Sequence, residues 1–380
     1  MNDRIEDLIY LDHNATTPVH PEVFDAMAPY LRGDFGNPSS GHVFGARAKA
    51  AVEHARDAVA GLLGCAAGEV VFTSGGTESN NLSILGLAAA HPGRRHLVTS
   101  VVEHPATRLP CAHLGAGGYE ITWLPVDGAG RVDPGGAAAA LRDDTLLVTL
   151  MLANNETGTL QPVAEISEAA HVVGAVVHTD AAQAVGKIPV RVDALGVDLL
   201  SIAGHKLYAP KGVGALYLRE GITVAPVLLG GGQERGVRPG TENVSHIVGL
   251  GRACEIAAAD LASEGRRQHA LTDRLWALLA GEIPGLRRNG PPGERLPGTL
   301  NVSFPGVRGS AVLARADGLA ASTGSACHED REDPSAVLTA MGLTREEALG
   351  AVRLSVGRST TEAQVETAAA MLIAAWKSRG

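Results

Sequence analysis

The sequence predicts a chain of the α/β class, in which a mostly parallel sheet is sandwiched by helices. Short, continuous apolar runs alternate with stretches whose apolar residues have helical spacing, which is typical of parallel sheets covered on both faces. The apolar runs are residues 70–73, 96–102, 146–152, 175–178, 199–202 and 213–218. Residues 79–90 and 163–173 are two of the helical stretches between them.

The pattern of apolar residues changes beyond residue 240. A long helical stretch is predicted from residue 243 to about residue 280, and residues 299–380 again mix strand and helix patterns. That mixture indicates a second, smaller α+β domain. We therefore predict a large domain over residues 15–260 and a small domain over residues 1–14 and 261–380, with Cys327 on a loop of the small one.

The composition excludes several classes of function. The 380 residues include 32 basic and 41 acidic ones, for a net charge of −9, with no basic run. Such a chain has nothing to drive counterion release, so we expect no direct nucleic-acid partner and no membrane partner. No apolar run is long enough for a membrane span, and the first ten residues lack the order of a signal peptide. The four cysteines are widely spaced, so we expect a reduced, cytoplasmic protein without a metal site.

Polar clusters directly follow nearly every apolar run, at the strand ends where parallel sheets bind ligands. In the first cluster a strand ends in Gly75-Gly76, and Thr77 and Glu78 open a helix. The N–H groups of a helix N-terminus and the Thr77 hydroxyl can hold a phosphate. The alternative is an ordinary capped turn between a strand and a helix.

Asp180 lies just past the predicted strand at residues 175–178. An acid in this place can hold the protonated pyridine nitrogen of pyridoxal phosphate, which turns the ring into an electron sink. The alternative is that Asp180 only caps the following turn, which is the commoner use of Asp there.

Only five of the basic residues are lysines, and their contexts differ. Lys49 and Lys377 lie in helix-like polar stretches, whereas Lys187 and Lys211 lie in loops beside prolines. Lys206 alone follows an apolar strand and has a histidine beside it. It is therefore the candidate for a Schiff base, which requires a neutral amine. A surface lysine in an ion pair is the alternative.

Asp180 precedes Lys206 by 26 residues, with the glycine-rich turn further upstream, as in pyridoxal-phosphate enzymes of the aspartate-aminotransferase fold. The whole chain resembles the NifS/IscS-like cysteine desulfurases of the class V aminotransferase superfamily, including those of DNA phosphorothioation systems. The resemblance is carried, in order, by residues 10–18, 36–40, 72–81, 154–162, 178–189, 205–217, 230–243, 325–327 and 353–358. It implies pyridoxal 5'-phosphate as cofactor.

The resemblance also implies roles for single residues around this cofactor. Lys206 is expected to form the Schiff base, His104 to stack on the ring, Asp180 to pair with the pyridine nitrogen, and Gln183 to pair with the ring hydroxyl. The phosphate is expected to contact Gly76, Thr77 and His205.

Three further residues and one oligomeric state follow from the same resemblance. Thr241 of the partner subunit is expected to complete the phosphate site, which implies a homodimer. Asn155 and Arg353 are expected to hold the substrate amino acid, with Arg353 as a bidentate clamp on its carboxylate. Asn155 is counted among the cofactor contacts as well.

Cys327 resembles the nucleophile of the family and lies in a polar, charged stretch. The implied reaction converts L-cysteine to L-alanine and leaves a persulfide on Cys327. The sulfur then passes to an acceptor protein in iron–sulfur assembly, tRNA thiolation or DNA phosphorothioation. Cys65, Cys111 and Cys254 fit the commoner use of a free cysteine as an apolar filler.

Several alternatives remain at this point. The family commonly has serine where this chain has Ala203, which removes one hydroxyl from the phosphate site. Ala203-Gly204 and the charged stretch after Cys327 also resemble selenocysteine lyases, the nearest alternative. An ordinary aminotransferase would use Lys206 and Asp180 but would not need Cys327. A catalytically inactive protein that only binds partners should have lost some of these candidate site residues.

Overall fold

The computed structural model describes residues 8–323 and 333–378. In these residues the strands are β1 (Ile9–Tyr10), β2 (Val70–Thr73), β3 (His96–Ser100), β4 (Glu120–Leu124), β5 (Thr145–Met151), β6 (Val176–Asp180), β7 (Leu199–Ala203), β8 (Gly214–Leu218), β9 (Arg287–Asn289), β10 (Thr299–Ser303), β11 (Leu319–Ala320) and β12 (Ala351–Ser355). All six predicted apolar runs are strands. The prediction missed β4, because this edge strand is largely half-buried and lacks a continuous apolar run.

Thirteen α-helices lie within the described residues. They are α1 (Pro21–Arg32), α2 (Val43–Leu63), α3 (Gly76–Asn81), α4 (Leu87–Ala90), α5 (Pro105–Ala116), α6 (Pro134–Ala139), α7 (Val163–Val172), α8 (Val192–Leu195), α9 (Val244–Glu282), α10 (Gly309–Arg315), α11 (Ala336–Ala340), α12 (Arg345–Leu349) and α13 (Glu362–Lys377). The long predicted helix is α9, and the predicted helical stretch 79–90 contains a π-helical turn between α3 and α4. Helix α2 ends at Gly64, whose φ of +74° favours a residue without a side chain.

The main sheet has seven strands in the order β2-β8-β7-β6-β5-β3-β4. Its pairs β3–β4, β3–β5, β5–β6 and β6–β7 are parallel, whereas β8 is antiparallel to both of its neighbours. Every residue of β5 and of β7 is buried, since helices cover both faces of the sheet. The predicted α/β fold with a mostly parallel sheet is thus confirmed.

A second sheet, β12-β10-β9, is antiparallel. Its core joins side chains of α9, α10 and α13 and takes in Ile9 and Leu11 from the start of the described chain. Helix α9 contributes Ile247 and Leu250 to the core of the main sheet and Leu275 and Leu279 to this second core. The division into residues 15–260 and residues 1–14 with 261–380 stays a prediction.

The carboxyl ends of the parallel strands meet at one edge of the main sheet. The predicted polar clusters follow β2, β3, β5, β6 and β7, so the fold gathers them at this edge. Within the described residues, no helix combines the length and the apolar character that crossing a membrane requires.

Candidate active site

A cavity of about 320 Å³ lies at this edge of the main sheet. Its volume is in the range of small-molecule sites. The predicted site residues that line it are Gly76, Thr77, His104, Asn155, Asp180, Gln183, His205, Lys206 and Arg353. Thr241 is exposed and is not among the lining residues, so its place in a partner's site stays a prediction. Cys327 lies outside the described residues.

Lys206 ends a 3₁₀ turn that directly follows β7. Its Nζ donates hydrogen bonds to the backbone carbonyls of Asn14, at 2.6 Å, and Ala15, at 2.7 Å. Burial and the positive charge of Arg353 lower the pKa of Lys206 to about 8. A substantial share of its amine is therefore neutral just above neutral pH, as attack on an aldehyde requires.

Asp180 is the last residue of β6 and is 8% exposed. One carboxylate oxygen accepts from the backbone N–H of Ala182 at 3.0 Å, so Asp180 does cap the following turn. The other oxygen accepts from Asn80 Nδ2 at 2.7 Å. Asp180 also lines the cavity, so the capping role and a cofactor role are compatible. Asn80, which the sequence analysis missed, holds this carboxylate in place.

His104 caps the N-terminus of α5, and Pro105 occupies the first helical position. Its Nδ1 accepts from the backbone N–H of Ala106 at 3.1 Å. Burial lowers the pKa of His104, and the charge of Lys206 adds to this effect while Asp180 opposes it. The neutral ring therefore carries its proton on Nε2.

The glycine-rich turn has the geometry that a phosphate group needs. Gly75 has a φ of +149°, and α3 begins at the next residue, so the N–H groups of its first turn are free of intrahelical partners. A Cβ on Gly76 would lie 3.3 Å from the Cβ of Ala203, which leaves little room for a side chain there. The backbone can thus approach a ligand closely at this end of the cavity.

His205 lies beside this turn and is neutral. Its Nδ1 forms a hydrogen bond with the hydroxyl of Thr16 at 3.1 Å. Burial, followed by the charges of Lys206 and other lysines, lowers the pKa of His205 to about 4. A neutral imidazole can donate one hydrogen bond to a phosphate without adding a buried charge.

Arg353 reaches the cavity from β12 of the second sheet and is 6% exposed. Its Nη1 donates to the backbone carbonyl of Asn155 at 3.0 Å, and its Nη2 donates to Asp12 at 2.8 Å. Its Nε is buried and has no hydrogen-bond partner among the described residues. The guanidinium keeps further N–H groups with which it can bind an anionic ligand.

Lys187 and Asn14 are residues of the site that the sequence analysis gave no role. Lys187 Nζ donates to Gln183 Oε1 at 2.7 Å and to Asn14 Oδ1 at 3.1 Å. The proline nearby suggested an ordinary loop, but the turn that contains Lys187 folds back against the site. The spacing of four residues between Gln183 and Lys187 is the signal that could have revealed this contact.

The three described cysteines are poor nucleophiles. Burial and nearby acids raise the pKa of Cys65, Cys111 and Cys254 to about 12 in each case. They fit the interpretation as structural thiols. Residues 8–323 and 333–378 hold no group of three or more His, Cys, Asp or Glu side chains placed to bind a metal ion.

These donors match the chemistry of pyridoxal 5'-phosphate. The amine of Lys206 could react with its aldehyde, and the carboxylate of Asp180 could pair with its pyridine nitrogen. The N–H groups in the first turn of α3 could hold its phosphate. Asn80 Oδ1 is buried at the cavity without a partner among the described residues, which leaves one acceptor free for a bound group. The fold and the site define a pyridoxal-phosphate-dependent enzyme.

Comparison with known proteins identifies the family. The family model for class-V aminotransferases matches residues 9–367. A cysteine desulfurase IscS from Dictyoglomus turgidum is 47% identical over 357 residues, which are 93% of this chain and 91% of that protein. The chain belongs to the class V aminotransferase family.

Two solved structures show the same architecture. A NifS-like protein has a TM-score of 0.91 at 36% identity, over 97% of this chain and 98% of that one. DndA from Streptomyces lividans has a TM-score of 0.78 at 41% identity, over 90% of this chain and 97% of that one. The resemblance to NifS/IscS-like proteins is thus confirmed over nearly the whole chain.

Proposed function

We propose that the protein is a pyridoxal-phosphate-dependent cysteine desulfurase. It converts L-cysteine to L-alanine and carries the released sulfur as a persulfide on Cys327. The observation that carries the proposal is the convergence of Lys206, Asp180, His104 and Arg353 on one cavity. The name of the relative from D. turgidum, cysteine desulfurase, favours this activity over that of a selenocysteine lyase.

Pyridoxal phosphate, when bound, supplies an electron sink for the bonds at Cα and Cβ of the substrate. Lys206 binds its aldehyde, Asp180 its pyridine nitrogen and Gln183 its ring oxygen. Gly76, Thr77 and His205 hold the phosphate, and Thr241 of the partner subunit completes this contact in a homodimer. His104 stacks on the ring, with its position set by the cap of α5.

Arg353 and Asn155 orient the substrate. The free N–H groups of Arg353 bind the α-carboxylate of L-cysteine, which places its Cα and sulfur towards Lys206 and His104. Lys206 lines the same cavity and, in its neutral form, would be the base that moves the Cα proton of the substrate. Its pKa of about 8 suits this task near neutral pH.

Cys327 accepts the sulfur. Its thiolate attacks the sulfur of L-cysteine, so that an S–S bond forms and the Cβ–S bond breaks. The electron pair of the broken bond stays with the carbon skeleton, which takes up a proton and leaves as L-alanine. His104 lines the same cavity and is placed for acid–base help in these proton transfers. The persulfide then passes to an acceptor protein of iron–sulfur assembly, tRNA thiolation or DNA phosphorothioation.

The test measures alanine and sulfide from L-cysteine with the purified holoenzyme and a thiol reductant, which reduces the persulfide and releases its outer sulfur as sulfide. The variant Cys327→Ala should lose the release of both products yet keep the visible absorbance of the bound cofactor. Cys65→Ala removes a thiol outside the cavity and should keep full turnover. Turnover of L-cysteine by Cys327→Ala at the wild-type rate would contradict the proposal, and retained activity towards selenocysteine alone would favour the lyase.

A further inference from the structure

A second lysine amine lies beside the site. Lys187 follows Gly186, whose φ of +78° bends the chain after Gln183, and a Cβ at Gly186 would lie 3.1 Å from Leu207 Cβ. This tight turn directs Lys187 back to the cavity. There its Nζ contacts Gln183 and Asn14, two residues that line the cavity.

The contact with Lys187 sets the orientation of the Gln183 amide. Lys187 Nζ directs its N–H groups at two side-chain oxygens, Asn14 Oδ1 and Gln183 Oε1, so it faces the amide oxygen of Gln183, at 2.7 Å. The amide nitrogen, Nε2, then faces the other way and donates to the backbone carbonyl of Asn14 at 2.9 Å. A reversed amide would lose both bonds. The second N–H of Nε2 remains available to a ligand in the cavity.

The contact with Lys187 also orients Asn14. The side-chain oxygen of Asn14 accepts from Lys187, so its Nδ2 is left to donate to Thr299 Oγ1 at 2.9 Å and to the carbonyl of Asn155 at 3.2 Å. The backbone carbonyl of Asn14 accepts from Lys206. Lys187 and Lys206 are therefore held by opposite ends of one residue.

We propose that Lys187 is a positioning residue of the cofactor site, which holds the Gln183 amide with its nitrogen towards the ring oxygen of pyridoxal phosphate. This inference rests on the proposed cofactor contacts of Gln183 and Lys206. An N–H donor at the ring oxygen stabilises its anionic form, whereas a reversed amide would set a carbonyl oxygen against that anion. Lys187 does not itself contact the reacting atoms.

The positive charge of Lys187 also acts on the nitrogen of Lys206. Burial, the Lys206 ammonium and the Arg353 guanidinium lower the pKa of Lys187 to about 7. The charged and titratable groups that interact with Lys187, with Lys206 or with both are His13, His104, His205, Arg353, Asp12 and Asp180. Below about pH 7 Lys187 is mostly an ammonium, so its loss also removes a positive charge from this cluster, which favours retention of a proton at the Lys206 nitrogen.

The test is a pH titration of the visible absorbance of the holoenzyme, without substrate. In Lys187→Met the midpoint should move up by about 0.5 to 1 pH unit, the equivalent of one weakened hydrogen bond. Lys187→Arg keeps a cationic donor, so its midpoint should move by less than half as much as that of Lys187→Met. Lys377→Met removes an exposed lysine of α13 and should leave the midpoint unchanged.

A double-mutant cycle separates positioning from a general effect of charge. If Lys187 acts through the amide, Lys187→Met in a Gln183→Met background should shift the midpoint by less than half as much as in the wild type. An equal shift in both backgrounds, or none in either, overturns the proposal. Should Lys187→Met fail to fold, Lys187→Gln must still shift the midpoint upward. A protein that shows these shifts but releases no alanine from L-cysteine contradicts the proposed function and leaves this inference intact.

Discussion

Arg353 of β12 donates a hydrogen bond from Nη2 to the carboxylate of Asp12 over 2.8 Å, and this pair joins the second sheet to the cavity of the main sheet. The two residues are 341 positions apart in the chain. Asp12 holds one side of the guanidinium while the carbonyl of Asn155 holds another. Because both contacts come from the protein, the orientation of the remaining N–H groups is set before a substrate arrives.

Replacement of the guanidinium fork by a point charge should weaken substrate binding. In Arg353→Lys we expect the KM for L-cysteine to rise about 10- to 100-fold, the equivalent of one or two lost charge-assisted hydrogen bonds. Steady-state kinetics measures this, with Arg315→Lys at the exposed end of α10 as the control. An unchanged KM in Arg353→Lys, with the thermal stability retained, would show that Arg353 does not bind the carboxylate.

Ala203 lines the cavity beside Gly76. The variant Ala203→Ser adds one hydroxyl that can donate to the phosphate. We expect cofactor binding to tighten about 2- to 10-fold, as one hydrogen bond allows. Equilibrium binding of pyridoxal phosphate to the apoprotein measures the change, and Ala138→Ser on the exposed side of α6 is the control. Weaker binding in Ala203→Ser would mean that the phosphate needs the space beside Gly76 and gains nothing from an added hydroxyl.

Glu103 is 5% exposed and accepts hydrogen bonds from Ser100 Oγ at 2.7 Å and from the backbone N–H of Met151 at 2.9 Å. Burial, with a smaller contribution from the charge of Asp180, raises the pKa of Glu103 from 4.5 to about 8. Between these two pH values the folded protein binds more protons than the unfolded chain. Glu103 therefore contributes a loss of stability as the pH rises through this window.

Glu103→Gln removes this titration. We expect the free energy of unfolding of the apoprotein, relative to the wild type, to increase by about 4 kcal/mol between pH 5 and pH 8.5. Urea unfolding at the two pH values measures the difference, and Glu168→Gln on the exposed face of α7 should show no such change. Parallel pH profiles for Glu103→Gln and the wild type would rule out a protonated Glu103 at neutral pH.

Arg56 and Glu234 form a buried ion pair in which both Nη atoms of Arg56 lie 2.8 Å from the carboxylate. The backbone N–H of Phe72 also donates to Glu234, at 2.9 Å. Glu234→Gln removes the buried carboxylate and leaves the guanidinium only the half-exposed carboxylate of Glu53 as a charge partner, so we expect a loss of about 3 kcal/mol in the free energy of unfolding. The exposed pair of Arg274 and Glu366 offers the matched control, since Glu366→Gln should cost less than about 1 kcal/mol. Equal losses in the two variants would contradict this difference.

Much of the fold could be predicted, because buried parallel strands require continuous apolar runs. The run at residues 146–152 is strand β5, and every residue of that strand is buried. Strand β4 escaped prediction since it lies at the sheet edge, where half-buried positions do not need an apolar sequence. A strand that is buried on both faces can therefore be recognised from its apolar run, whereas a half-buried edge strand cannot.

The same contrast holds at the site. Local sequence was enough to single out Lys206 and Asp180, because each directly follows an apolar strand and so must lie at the ligand-binding edge of the sheet. The contacts of Lys187 with Asn14 and of Arg353 with Asp12 join residues 173 and 341 positions apart. Such contacts depend on how the two sheets pack. The amino-acid order thus determined the class of fold and singled out Lys206 as the candidate cofactor lysine, whereas the folded chain decided which groups orient Lys206 and how burial lowers its pKa.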